Sequence, residues 1–286
     1  MEKIIEIANE VSREKVRGAS WSAEAMAKAV YELGKAKAVS CNDINEISKV
    51  IVNANPAMGS LYNLSLILKN SCDLKKELYL AAQKFLEYMN LSRNSIVRYS
   101  NELFRESANV FTLSNSSNVY NVIKENKDKI NKVLVAESYP GGEGAIFATQ
   151  IKSLGIDVEL YPDASISNAI EKSSFVLIGA DTITIDGCLF NKVGTKNASI
   201  IAGYYGKPVI AVFEPFKINP IMKCDQDIAI ARSYLIQGYG ELSYRLFDHL
   251  PNNLLDGILS VNGLIDPSGS NLSRLHESFL NWFTNI

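Results

Sequence analysis

The chain has 286 residues, 47% hydrophobic and 21% charged, with a formal net charge of −2, which describes a globular protein long enough for two subdomains. So small a charge excludes a general pull toward nucleic acid or membranes. Two histidines, His249 and His276, exclude a histidine-rich metal site, and no apolar run approaches the roughly 20 residues of a membrane span. The four cysteines, Cys41, Cys72, Cys188 and Cys224, are far apart and form no CxxC pair. That argues against a disulfide framework or zinc ribbon and for a reducing compartment. The N-terminal MEKIIEIANE is acidic and amphipathic rather than signal-like. The expected location is the cytoplasm.

Residues 1–106 read as a helical domain. Ile4, Ile5, Ala8 and Val11 keep helical spacing. Ser20 or Ser22 is the expected cap of a long helix through Met26, Val30 and Leu33 that stops at Gly34 or just beyond. Asn42 or Asp43 is the expected cap of the next, with Ile44, Ile47, Val50 and Ile51 on one face. Pro56 breaks that helix and Gly59 loosens the turn. Tyr62–Leu68, Leu74–Met89 and Ser95–Ser107 are further helical candidates.

From about residue 108 the pattern changes to strands alternating with helices, the mark of parallel βαβ units. Strands are expected at Val110–Leu113, Lys132–Ala136, Asp157–Tyr161, Phe175–Ile178 and Pro208–Phe213. Later strands are expected at Leu246–Phe247 and Gly257–Ser260. Helices are expected up to Ile123, over Ala145–Leu154, near Ile166–Glu171 and over Lys196–Tyr205. The tail from Leu272 to Phe283 is amphipathic and reads as core packing, on the body or on a partner subunit. The fold class is therefore α/β, an N-terminal helical domain followed by a Rossmann-like α/β domain over residues 107–286.

The stretch Phe175–Thr195 organises this second half. Its β-branched run suits a strand buried on both faces. Asp181 stands just past the strand's C-terminal edge, where ligands bind in open α/β sheets. Asn191, Lys192, Gly194 and Thr195 then lead into a helix, where free N–H groups and the dipole favour an anion. The same residue types are also ordinary turn and cap residues.

Other polar groups recur at expected strand ends: Ser114–Ser117, Glu137–Ser138, Asp163 and Glu214–Lys217. In a parallel sheet they converge at one edge. The Ser116 and Ser117 hydroxyls, at the start of the next helix, suit an anion better than a nucleophile, since no GxSxG elbow frames them. Gly141-Gly142-Glu143-Gly144 fits neither dinucleotide nor P-loop spacing and reads equally as a tight βα turn. Arg17, before Gly18-Ala19-Ser20, is a candidate phosphate clamp or a plain surface arginine.

Four strings, VLVAES (133–138), LIGADTITIDGCLFNKVGT (177–195), KPVIAVFEPFKINP (207–220) and FDHLPNNLLDGIL (247–259), resemble the translation initiation factor 2B alpha/beta/delta family. That family also contains archaeal ribose-1,5-bisphosphate isomerase and methylthioribose-1-phosphate isomerase, and the resemblance is to its archaeal-type members. It covers nearly the whole chain. It implies a helical domain before a Rossmann-like one and association through the α/β domain; no cofactor or metal is expected. The isomerases use a cysteine and an aspartate to shuttle protons between adjacent sugar carbons. The resemblance carries the aspartate role to Asp181. It carries sugar-phosphate binding to Arg17, Gly18, Ala19, Asn191 and Lys192, beside Ser116, Ser117 and Lys217 from the residues themselves.

Three positions depart from the isomerase pattern. Ser114 stands at the cysteine position, Tyr139 at the arginine of an E-x-R-P string, and Asn55 at the arginine before a proline. A thiol titrates near 8.5 and can be tuned into the working range. A serine hydroxyl needs a dedicated base. Cys188 is a weak candidate for a substitute thiol. Losing two arginines weakens bisphosphate binding. The expected function is a regulatory, initiation factor 2B alpha-like subunit with a retained sugar-phosphate or nucleotide pocket and no catalysis. It would form a homodimer or higher oligomer, with initiation factor 2 or other family subunits as partners and no nucleic acid or membrane. The alternative is an aldose–ketose isomerase making ribulose 1,5-bisphosphate, with Asp181 and Ser114 (or Cys188) moving the protons.

Overall fold

The computed structural model describes residues 1–14, 17–73, 77–224 and 231–284. Five helices open it: α1 (Glu2–Arg13), α2 (Ala19–Ala36), α3 (Cys41–Ala54), α4 (Gly59–Asp73) and α5 (Leu78–Tyr99). Their apolar stripes meet in one core that includes Ile4, Val11, Met26, Val30, Ile47, Ile51, Leu61 and Phe85.

Two helix starts differ from expectation. Neither Ser20 nor Ser22 caps α2; Gly18 is its N-cap, and the Ala19 N–H donates to Asp181 Oδ1 at 3.1 Å. Ser40, not Asn42 or Asp43, caps α3, and Asp43 closes the reciprocal capping box. The two candidates at 74–89 and 95–107 are one helix as far as Tyr99 and then a short 3-10 turn. Leu74, where the first was expected to begin, lies outside the described residues.

Nine strands follow in alternation with helices as far as Val212 and beyond: β1 (Ala108–Leu113), α6 (Ser117–Glu125), β2 (Ile130–Ala136), α7 (Glu143–Lys152), β3 (Asp157–Tyr161), α8 (Ile166–Lys172), β4 (Phe175–Gly179), β5 (Thr182–Thr184), β6 (Leu189–Lys192), α9 (Thr195–Tyr204), β7 (Val209–Val212), β8 (Ile218–Asn219) and β9 (Ala231–Ile236). Then come β10 (Gly240–Arg245), β11 (Phe247–Leu250), β12 (Gly257–Ser260), β13 (Gly263–Ile265) and α10 (Gly269–Thr284). The main sheet has the order β13-β12-β7-β4-β1-β2-β3, parallel except for β13.

Side chains alternate across this sheet. Phe111, Leu134, Val176, Ile178 and Ala211 face α8, α9 and the start of α10. Val110, Val133, Phe175, Leu177 and Val212 face α6, α7 and the end of α5. The chain leaves β1 toward β2 on one side and returns to β4 on the other. The sheet therefore switches direction between β1 and β4, which opens a crevice beyond their C-terminal ends. A second sheet, β11-β6-β5-β8, overlies that crevice and carries Asn191 and Lys192 on β6.

The tail packs into the core as expected: helix α10 returns to the first five helices, where Phe279 and Phe283 complete their core. One feature was not expected, the pairing of the cysteines. The four cysteines pair as Cys41–Cys72 and Cys188–Cys224. The first bridge joins the start of α3 to the end of α4, antiparallel neighbours whose far ends meet. Distance along the chain hid a closeness that the fold creates, so the cysteine pattern no longer argues for free thiols or a reducing compartment.

The glycine-rich turn before α7 is a tight βα turn. Gly142 takes a left-handed φ of 73°, and a Cβ on Gly144 would lie 1.7 Å from the Ala136 carbonyl oxygen.

Candidate functional site

A cleft of about 150 Å3 opens at the switch point, between the start of α2 and the ends of β1 and β4. Arg17, Gly18, Ala19, Ser114, Ser116, Ser117, Asp181, Asn191, Lys192 and Lys217 all line it. So do Glu14, Trp21, Asn55 and Phe247. Tyr139 does not; it is exposed and packs edge-on against Tyr234 on β9, 5.4 Å between centroids.

Asp181 closes the floor. Its carboxylate accepts the first amide of α2, a capping contact made across the fold. Burial pushes its pKa up from the usual aspartate range, against the opposing pull of Lys217, the Ala19 amide and Lys192. A proton held there can be given to a hydroxyl or carbonyl oxygen. The raised value also means that ionised Asp181 weighs against folding. Its favourable contribution is present below about 3.8, the ordinary value, and is lost as pH rises through the folded value. Asp181→Asn is therefore expected to stabilise the protein at neutral pH by about 0.5–2 kcal/mol, with a gain that shrinks toward pH 3.8. Thermal melts across pH measure it; a variant less stable at neutral pH would refute the burial argument.

The two lysines reach the cleft from opposite sides, each backed by a carboxylate. Lys217 pairs with Glu214 at 3.0 Å, with side chains 5% and 1% exposed. Glu214 also accepts from Ser20 Oγ at 3.1 Å and from Asn118 Nδ2 at 2.5 Å. It thereby ties α2, α6 and the Lys217 turn into one buried knot. The loop bearing Lys217 is pinned again by Asn63, whose amide donates to the Phe216 and Ile218 carbonyls. Asn63 Oδ1 in turn lies 3.0 Å from His276 Nε2 on α10. Lys192 pairs with Glu143, buried in the glycine-rich turn. The second oxygen of Glu143 has no partner.

Arg17 is exposed at the rim, bonded to Glu14 and to Glu10 at 2.6 Å, with its guanidinium 3.5 Å from the centre of the Trp21 ring. Ser114 takes a left-handed φ of 62° and donates its amide to Ser138 Oγ at 2.8 Å. Ser116 caps α6, accepting the Val119 amide.

Three expectations are corrected here. The anion pocket at the start of α9 is filled by the chain itself: Asp248 Oδ2 accepts from Gly194 N at 2.8 Å and Lys196 N at 3.0 Å. Asn191 is bonded to Thr195 Oγ1 at 3.0 Å. Of the strand-end groups, Glu137, Ser138 and Asp163 stay out of the cleft; Asp163 holds the Ser138 and Tyr139 amides instead. Cys188 is buried, disulfide-bonded and outside the lining, so it is no substitute thiol.

A model of the initiation factor 2 subunit family (IF-2B) matches residues 15–267. The chain belongs to that family. A Pyrococcus abyssi relative whose name calls it translation initiation factor eIF-2B subunit 2-like is 30% identical over 272 residues, 93% of this chain and 97% of the relative. The ribose 1,5-bisphosphate isomerase of Methanocaldococcus jannaschii is 28% identical over 302 residues, 99% of this chain and 97% of that enzyme. The solved Pyrococcus horikoshii translation initiation factor eIF-2B shares the fold at a TM-score of 0.86 and 30% identity, over 93% of this chain and 98% of that one. IF-2B relatives thus include both initiation-factor-like proteins and isomerases.

The carboxylates Glu143, Glu214 and Asp248 hold Lys192, Lys217 and the start of α9 around this IF-2B cleft, and sequence reasoning assigned none of them a role there. Glu214 stood at an expected strand end and Glu143 in a noted turn. Asp248 gave no signal, because its contact spans two strands far apart in the chain.

Proposed function

We propose that the protein is an initiation factor 2B-type regulatory subunit that binds a phosphorylated sugar or nucleotide in this cleft without turning it over. The supporting observation is Ser114: it lines the cleft, the resemblance sets it where the isomerases carry their cysteine, and no histidine is among the described lining residues. A hydroxyl without a base moves no proton at neutral pH. Of the two lining carboxylates Asp181 stands beside Ser114's strand end and Glu14 is held by Arg17 at the rim, and shuttling a proton between adjacent carbons needs a second group besides Asp181. Likeness to the eIF-2B subunit 2-like relative supports association with initiation factor 2 or other family subunits. Co-purification with them from cells is the corresponding readout.

The isomerase reading has one observation in its favour, the raised pKa of Asp181 beside two lysines. Ribose 1,5-bisphosphate at millimolar concentration, followed by NMR, separates the two. The wild type is expected to leave it unchanged. Ser114→Cys restores the missing thiol and is expected to form ribulose 1,5-bisphosphate at about 10²-fold or more above the wild-type rate. Wild-type turnover near 1 s−1, on the order of ordinary enzyme rates, assigns the protein to the isomerases instead.

A further inference from the structure

We propose that the Cys188–Cys224 disulfide is a thiol–disulfide switch. Closed, it holds the β9–β10 hairpin over the Lys192 side of the cleft; reduced by a dithiol, it lets the hairpin lift.

The bridge joins two segments that build the wall of the cleft. Cys188 stands directly before β6, the strand that carries Asn191 and Lys192. Cys224 follows Lys217 and β8 and precedes the hairpin. The two Cα atoms are 5.3 Å apart. Phe190 and Met222 complete the small cluster around the bridge, which is separate from the larger cores. The other bridge, Cys41–Cys72, differs in this respect. Helices α3 and α4 are held by Ile44, Ile47, Ile51, Leu61, Leu64 and Leu68 in the helical core, whether that bridge is closed or open.

The hairpin needs such a tether. Its two strands form a sheet of their own, and a two-stranded ribbon is marginally stable by itself. Leu235 on its outer face and Tyr239 at its tip are 78% and 73% exposed. On its inner face, Arg232 Nη2 donates to the Ser12 carbonyl of α1 at 2.8 Å and Tyr234 meets Tyr139 edge-on. Tyr244 packs on Tyr234, 5.8 Å between centres, and its ring centre lies 6.0 Å from Lys192 Nζ. Strand β10 then runs straight into Leu246 and Phe247, which line the cleft. With the bridge open, the chain entering β9 loses its covalent anchor, and the Tyr244 contact and the Leu246–Phe247 wall loosen together.

Cys188 is 1% exposed and Cys224 only half-buried, so the thiolate of the reductant attacks the Cys224 sulfur. The S–S bond breaks, and Cys188 leaves as a thiolate and takes a proton from water. The second thiol of the reductant then displaces Cys224 from the mixed disulfide, and the reductant departs as a cyclic disulfide. Two electrons pass to the protein, which gains two thiols. Oxidised glutathione, itself a disulfide, reverses both steps.

Hydrogen exchange read by mass spectrometry on the full chain, before and after dithiothreitol, tests this. Reduction is expected to speed exchange over residues 231–247 by about tenfold or more and that of α3 and α4 by under about twofold. Cys224→Ser is expected to exchange like the reduced protein with no reductant present. Oxidised glutathione is expected to restore slow exchange in the reduced wild type but not in Cys224→Ser. The double variant Cys41→Ser with Cys72→Ser is expected to keep the hairpin slow. Equal exchange over 231–247 in oxidised and reduced protein overturns the proposal. So does a hairpin that opens as far when the other bridge is removed, or a free thiol at Cys188 or Cys224 in protein purified without reductant. Exchange is read on the free protein, so failure here leaves the sugar-phosphate reading standing.

Discussion

Replacing Glu214 with alanine is expected to destabilise the fold by about 3–5 kcal/mol, because it strips the buried Lys217 ammonium of its salt-bridge partner. The loss is larger than for a surface pair, since both side chains are almost fully buried and Ser20 and Asn118 lose their acceptor as well. Urea denaturation followed by far-UV circular dichroism measures it. The double variant Glu214→Leu with Lys217→Met is expected to recover most of the loss, since a buried ion pair contributes little beyond an apolar one of like shape. If the single and double variants fall equally, packing rather than charge explains the effect.

The same residue sets an acid limit. Burial alone would raise the Glu214 pKa, but Lys217 and the Asn118 hydrogen bond outweigh it and hold the carboxyl below its usual range. The stability it contributes is therefore complete above about 4.5 and is lost as pH falls through the folded value.

Phe279→Ala is the second large effect, expected at about 3–5 kcal/mol for truncating a buried aromatic. Phe279 is fully buried against Tyr88 at 5.1 Å and Phe283 at 5.2 Å between ring centres, with Phe85 at 6.4 Å. Thermal or urea unfolding reads it. A loss under about 1 kcal/mol would mean that α10 is only loosely seated.

The main sheet was legible because parallel strands buried on both faces leave continuous apolar runs. KVLVA and FVLIG stand out for that reason. The small sheet was not: Thr182–Thr184 and Ile218–Asn219 are too short to show a period. The cleft's lining was legible because polar residues after parallel strands share one edge, and Ser114, Asp181 and Lys217 follow β1, β4 and β7. What those residues hold was not. The bonds from Asp248 to α9, Asp181 to α2 and Glu143 to Lys192 join segments that no local pattern links. The cap of α2 was misread for that reason: local serines stood at hand, and the acceptor came from position 181. The disulfides escaped notice in the same way.

The seat that Phe279 and Phe283 fill also sets an order of events at the ribosome. Asn63 and His276, bonded in the folded protein, lie 213 positions apart. At about 5–20 residues per second, the first five helices wait on the order of ten seconds or more for their last aromatic residues. Throughout that interval the face formed by Phe85 and Tyr88 stays open while the sheet is made. A nascent chain halted before α10 should be cut by protease in its helical half first, and that half is where a chaperone would have to hold it.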